Sequence, residues 1–277
     1  MEIIKSTGQR VEYDREKIRQ TLRHAGASDR TIRQVLPRVE EKITDGMTTR
    51  RIYSILRREI RKSNPALAHR YNLRNALLKL GPAGFQFEKY VASILKAYQY
   101  ETEIPDRELL GLCVRHEIDV IAKREGKTVM IEAKFRNQFG LTVSLKDVMA
   151  TWAAFEDLVD GSKTGKCPRF DELWVVTNGR FSERAYQFGV CRGIRMVGWG
   201  SEEHSLARMV DHTALYPITV IDGLRQWELE RLFKNDLTLC REVAGRNPAD
   251  LARQLDIPKE RVQKIILSCQ EVISEPA

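Results

Sequence analysis

The spacing of apolar residues changes its period repeatedly along this chain, and each change marks an element. In the middle, Val129-Met130-Ile131 alternates into Glu132-Ala133-Lys134, and Ile118-Asp119-Val120-Ile121-Ala122 precedes it across Glu125-Gly126-Lys127. A period of two on either side of a glycine turn predicts a β-hairpin with strands near 118–122 and 128–135. Glu132 and Lys134 then share one face, while Val129, Ile131 and Ala133 share the other. Around the hairpin the period lengthens. Phe87, Val91, Ile94, Leu95 and Tyr98 predict a helix opening at Gly84, and Val148, Trp152, Phe155 and Val159 predict another over 145–159. Leu173-Trp174-Val175-Val176-Thr177 reads as a buried strand ending at the Asn178-Gly179 turn. A helix over 181–192 with Ser182 as its cap and a strand over 194–199 complete an α/β core with a mixed sheet.

The flanks read differently. Ile3-Ile4-Lys5 and Val11-Glu12-Tyr13 frame a glycine turn at Gly8 and predict a small hairpin. Helices follow: one behind Asp14 with Ile18 and Leu22 on its stripe, then 29–45, one from Thr48 or Thr49 to Lys62, and 65–80, with breaks at Gly46 and Asn64-Pro65. After 199 come a polar loop and a helix reaching His212, then a short strand-like piece at 217–221. The remainder is helical, ending in a pair joined at Asp256-Ile257-Pro258. That pair has helix-turn-helix or helix-hairpin-helix spacing, with Lys259, Arg261 and Lys264 available to phosphate; such pairs also serve as plain packing modules.

Composition narrows the classes. The 277 residues allow two or three domains. No apolar run approaches the length of a membrane span, and no secretory leader pattern opens the chain. Five scattered cysteines form no Cys-x-x-Cys pair, which disfavours zinc ribbons and disulfide frameworks and points to the reducing cytoplasm. The five histidines share no metal-ligand spacing, and His116 is read as structural. The net charge of +8 is uneven: residues 1–80 hold 19 Lys and Arg against 9 Asp and Glu, and the remainder holds 27 against 29. The excess positive charge therefore sits at the N-terminus, where it attracts phosphates of a nucleotide or a nucleic acid.

Asp119, Glu132 and Lys134 carry the chemistry. Two carboxylates and an ammonium converging from a hairpin suit a divalent metal beside a phosphodiester, with a water to be activated. The bland alternative is an exposed strand with a surface ion pair. Glu88 lies beside the buried stripe of its helix, either as a surface carboxylate or as a further acidic group facing the site.

The residues Phe87-Glu88, Val91-Ala92, His116-Glu117-Ile118-Asp119-Val120, Glu132-Ala133-Lys134 and Val176-Thr177-Asn178-Gly179-Arg180-Phe181-Ser182 carry a resemblance. The segment from Gly84 to Trp199 resembles the Mrr-like restriction endonucleases of the PD-(D/E)xK superfamily. The resemblance implies that Asp119 and Glu132 bind Mg2+, that Lys134 assists the attacking water and that Glu88 completes the catalytic set. Many Mrr members have Gln where this chain has Glu132, and the proline that names the superfamily is absent before Asp119. Residues 1–80 resemble the ATP-cone, on Ile4-Lys5, Gly8, Val11, Tyr13-Asp14, Glu16-Lys17-Ile18, Asp45-Gly46, Thr49, Ile52, Ala68, Tyr71 and Arg74. That resemblance implies ATP or dATP held by Lys5, Gly8, Lys17 and Thr49.

The expectation is an α/β multidomain protein: a helical ATP-cone over 1–81, a PD-(D/E)xK mixed-sheet nuclease core over 82–222, and a small helical domain over 223–277. Its expected role is a cytoplasmic, Mg2+-dependent DNA endonuclease regulated by an adenine nucleotide, working as a homo-oligomer. With no Walker-type loop, the nucleotide is a regulator rather than a fuel. The rival expectation is a non-catalytic, nucleotide-responsive DNA-binding regulator on a decayed nuclease fold.

Overall fold

A computed structural model describes residues 1–274 except 6, 25, 26, 65, 66, 69, 70, 81–86, 139, 200 and 202. The expected N-terminal hairpin is present as β1 (Glu2–Ile4) and β2 (Arg10–Glu12). Gly8, at φ +82°, makes its turn, where the Gly8 N–H donates to the Lys5 carbonyl at 2.9 Å. Asp14 caps α1 (Arg15–His24) by accepting from the Glu16 N–H at 2.9 Å. Ser28 caps α2 (Asp29–Glu40), which ends five residues earlier than its apolar pattern predicts. Released there, the chain turns at Gly46, and Met47–Thr48 joins as β3, parallel to β1. Thr48 then caps α3 (Thr49–Ser63). Within the helix expected over 65–80, α4 (Leu73–Leu78) is described, and part of the remainder lies outside the described residues. Val35, Leu36, Val39, Leu56 and Ile60 form the core between these helices.

The opening of the next helix, at Gly84-Phe85-Gln86, also lies outside the described residues; α5 is described from Phe87 to Ala97. β4 (Glu101–Glu103) follows, then a small ladder of β5 (Leu109–Leu110) and β6 (Arg115–His116). The central hairpin is β7 (Val120–Arg124) and β8 (Lys127–Ala133). Glu125 and Gly126 both have positive φ, 52° and 76°, the two-residue turn whose twist matches paired strands. After β9 (Thr142–Val143), a capping box of Ser144 and Asp147 opens α6 (Leu145–Lys163). β10 (Glu172–Val176), β11 (Arg180–Phe181), α7 (Glu183–Cys191) capped by Ser182, β12 (Arg195–Val197) and α8 (Leu206–Thr213) complete this part. The sheet order is β12-β10-β8-β7-β4, parallel across β8, β10 and β12 and antiparallel across β8, β7 and β4. Met130, Leu173, Val175 and Met196 bury one face under α6 and α7, while α5 packs on β4, β7 and β8.

Past α8, residues 218–220 form a 3-10 turn rather than the expected strand-like piece, with an isolated bridge from Pro217 to Leu239. Four helices follow: α9 (Gln226–Lys234), α10 (Cys240–Ala244), α11 (Pro248–Leu255) and α12 (Lys259–Ser274). The chain divides into two compact units, Met1–Lys79 with Ala214–Ala277, and Leu80–Thr213. Residues 214–222, expected at the end of the nuclease segment, thus belong to the unit containing the N-terminal helices. The reason is polar as well as apolar: the Thr219 hydroxyl donates to the Ala76 carbonyl at 2.9 Å, and Arg57 pairs with Asp222.

The last helix is locked to α9 by a charge that the sequence had assigned to phosphate. Arg261 donates to both oxygens of Glu228, at 2.6 and 2.8 Å, and Glu228 is 1% exposed. Arg261 is therefore consumed internally, whereas Lys259 and Lys264 remain exposed. The Arg261 partnership holds the Glu228 carboxyl below its ordinary value, against its burial. Because the folded-state value is depressed, this stabilisation is present above pH about 4.5 and is lost as pH falls through the folded-state value. Glu228→Ala should destabilise the chain by about 2–3 kcal/mol at neutral pH in denaturant titration, with the difference from wild type shrinking below pH about 4.

Candidate active site

The site grows from the register of the central hairpin. Val120 pairs with Ile131, so Asp119, in the bend one residue ahead of β7, arrives opposite Glu132. The Ala133 N–H donates to Asp119 Oδ2 at 2.6 Å and fixes the carboxyl at the hairpin mouth. Lys134 lies one residue beyond β8, and its ammonium pairs with Glu132. The three side chains are gathered at the carboxyl end of the parallel strands, where open α/β sheets keep their working crevices.

The segment beyond β8 is held by two buried polar residues. Thr177 donates its hydroxyl to the Lys134 carbonyl at 2.7 Å. Asn178 accepts from the Arg136 N–H at 2.7 Å and donates to the Arg136 carbonyl at 2.9 Å. The Lys134 N–H reaches the Val176 carbonyl at 2.8 Å, so these contacts prolong the β8–β10 ladder past its formal end. Arg136 also reaches Asp147, at 2.8 Å. The sequence placed Thr177 and Asn178 in a strand and a turn without a supporting role. The residue types signal a turn, but only the fold reveals which backbone they bracket.

Electrostatics single out Asp119. Its carboxyl is pushed up to about 6, first by burial and then by the negative charge of Glu132, with Glu88 adding to the effect. The Ala133 N–H and Lys134 oppose that shift without cancelling it. Glu88, in the first turn of α5, keeps one carboxylate oxygen buried with no hydrogen-bond partner. A repelling set of half-buried carboxylates with one orphaned oxygen is a donor set suited to a hard cation. Among the described residues no three His, Cys, Asp or Glu side chains group into a closed cage. Two carboxylates completed by water and phosphate oxygens are the usual provision for magnesium, and Asp119 with Glu132 fits that pattern.

His116 lies apart in β6. It bonds Asp157 Oδ2 at 2.7 Å, and the same carboxylate accepts from the Cys113 N–H at 2.9 Å, fastening this loop to α6. Of the expected nucleotide residues, three come together by register. Ile4 pairs with Thr48, so Lys5 and Thr49 follow at the same end of the sheet, where Gly8 turns the hairpin. Lys17 is carried by α1, with its ammonium 3.5 Å from Asp14. No described helix is long and apolar enough to cross a membrane.

Residues 1–77 match the ATP cone domain family and residues 82–201 match the restriction endonuclease family, so the chain carries both domains. Residues 216–273 match the AF1548-like, C-terminal family. An uncharacterized protein from Archaeoglobus fulgidus is 32% identical over 184 residues, spanning 66% of this chain and 99% of that protein. A crystal structure titled as the protein of unknown function AF1548 shares 31% identity with a TM-score of 0.54, covering 68% of this chain and 98% of the other. The chain belongs to the AF1548-like family.

A carboxyl titrating near 6 that would titrate near 3.8 when unfolded opposes folding increasingly as pH rises between those values. In metal-free protein, Asp119→Asn should therefore raise the unfolding free energy by about 1–2 kcal/mol at pH 7–8, after allowance for partial exposure. The gain should vanish toward pH 4, where both side chains are neutral. Thermal melting across pH in EDTA measures it.

Proposed function

We propose that this chain is a Mg2+-dependent DNA endonuclease whose activity is set by ATP or dATP at the ATP-cone. The observation that carries the reading is the raised Asp119 carboxyl opposite Glu132, with Lys134 beside it. Asp119 and Glu132 would hold the ion. A bound magnesium supplies an acidified water and neutralises charge on the phosphate oxygens. Lys134 steadies the attacking water and the developing negative charge, once substrate phosphate competes with Glu132 for its ammonium. Glu88 would offer its orphaned oxygen to water held by the ion. Thr177 and Asn178 keep Lys134 in place through its backbone. At the cone, Lys5 and the backbone around Gly8 would meet the polyphosphate, with Thr49 at the start of α3 and Lys17 from α1.

A second reading, a non-catalytic nucleotide-responsive DNA-binding regulator, draws on the ion pair that occupies Lys134 and on the absence of a closed cage among the described residues. The two readings part in one experiment. On supercoiled plasmid with magnesium, the nuclease reading expects nicking that EDTA abolishes, and Glu132→Ala or Lys134→Ala should lower its rate by about 100-fold or more. Specific DNA binding in EDTA with no cleavage under any condition would favour the regulator, and Glu132→Ala cutting as well as wild type would end the nuclease reading. Titration calorimetry with ATP, dATP and AMP addresses the cone, where Lys5→Ala or Thr49→Ala should weaken ATP binding by about tenfold.

A further inference from the structure

The third helix of the N-terminal domain has a lopsided charge that folding sharpens. α3 carries Arg50, Arg51, Arg57, Arg58, Arg61 and Lys62 against a single acidic residue, Glu59. Glu59 turns inward to 2% exposure, where it pairs with Lys42 and with Lys62, the latter at 2.9 Å. Arg57 and Arg61 are drawn to Asp222. Arg50, Arg51 and Arg58 stay exposed, and none has an acidic partner among the described residues. Arg51 and Arg58 are two helical turns apart on one face, about 10 Å along the axis, with exposed Ser54 between them. A planar guanidinium holds a backbone phosphate through a forked pair of hydrogen bonds.

The distribution of charge makes the occupant specific. Residues 80–213, the nuclease unit, hold 18 Lys and Arg against 19 Asp and Glu. That unit has no net positive charge with which to draw a polyanion. We propose that the exposed arginine face of α3, centred on Arg51 and Arg58, is a sequence-independent docking surface for the DNA backbone. DNA held there is tethered to the same chain as Asp119 and Glu132, which raises its effective concentration for the nuclease unit. The choice of DNA as the polyanion rests on the nuclease reading; the surface itself rests on the burial of Glu59 and the free arginines.

The test uses the full chain carrying Asp119→Asn, in EDTA, with fluorescent duplexes of unrelated sequence between 50 and 200 mM salt. Arg51→Gln with Arg58→Gln should weaken binding to every duplex by about tenfold or more. It should also reduce the slope of log affinity against log salt by about 1.8, near 0.9 for each phosphate no longer neutralised. Melting temperature and ATP titration should not change, and Arg51→Lys with Arg58→Lys should keep the slope. An unaltered affinity and slope would overturn the proposal, as would a weakening confined to one sequence, or polyglutamate displacing the duplex at equal charge concentration. If binding behaves as expected but magnesium never yields cleavage by wild type, the nuclease reading falls and the docking surface stands.

Discussion

One hydrogen bond, from the Ala133 N–H to Asp119 Oδ2, holds together what charge alone would separate. Asp119 and Glu132 face each other across a hairpin mouth, and Glu88 adds a further negative charge. A flexible chain would relieve that repulsion by moving the bend ahead of β7. The short backbone contact prevents this, and it exists only because the register is fixed. Glu125 and Gly126 set the register at one end, through backbone angles that few other residue pairs adopt without strain. The parallel pairing of Glu132 with Val175 sets it from the other side of β8. A slip of one residue would exchange the faces of the strand and carry Glu132 away from Asp119. Turn chemistry at residues 125–126 thus determines electrostatics at residue 119.

The same logic of confined charge runs through the other unit with the opposite result. There three acidic groups are withdrawn into pairs: Glu59 with Lys42 and Lys62, Asp222 with Arg57, Glu228 with Arg261. Each pair removes an anion from the surface and organises a helix contact, while surplus arginines stay outside. In the nuclease unit carboxylates are gathered against one another, and the consequence is a raised Asp119. Like charges brought together raise a carboxyl's pKa, and opposite charges brought together fasten two segments.

Much of this was legible in the residues because short-range physics controls it. Alternation around Glu125-Gly126 predicts the hairpin. Ser182, Asp14 and Thr48 announce helix starts through hydroxyl or carboxyl groups that accept backbone N–H bonds. The meeting of Asp119 and Glu132 follows from those strands. What stayed hidden depends on contacts between distant segments. β3 is two residues long, too short to leave a period, and it exists because β1 offers it an edge. Arg261 looks like any exposed helix arginine until α9 brings Glu228 beneath it. Asn178 reads as a turn residue, yet it acts as a surrogate strand for Arg136. The stretch at 217–221 has the apolar composition of a strand, but Pro217 and the pull of Ala76 and Arg57 fold it as a 3-10 turn.

That last segment joins the cone to the C-terminal helices. Residues 214–222 leave the nuclease unit, cross α4 and α3, and only then enter α9. Asp222 touches two turns of α3 through Arg57 and Arg61, and one of its oxygens and the Arg57 Nε are buried without a hydrogen-bond partner. The pair is thus less completely bonded than Glu228 with Arg261. Thr49, at the sheet end it shares with Lys5, is the first residue of α3, two turns before Arg57. A rigid helix moves as a body, so a shift at its first turn reaches Asp222 without an intervening relay. Coupling by this route needs two arrangements of the Arg57–Asp222 joint that nucleotide favours unequally.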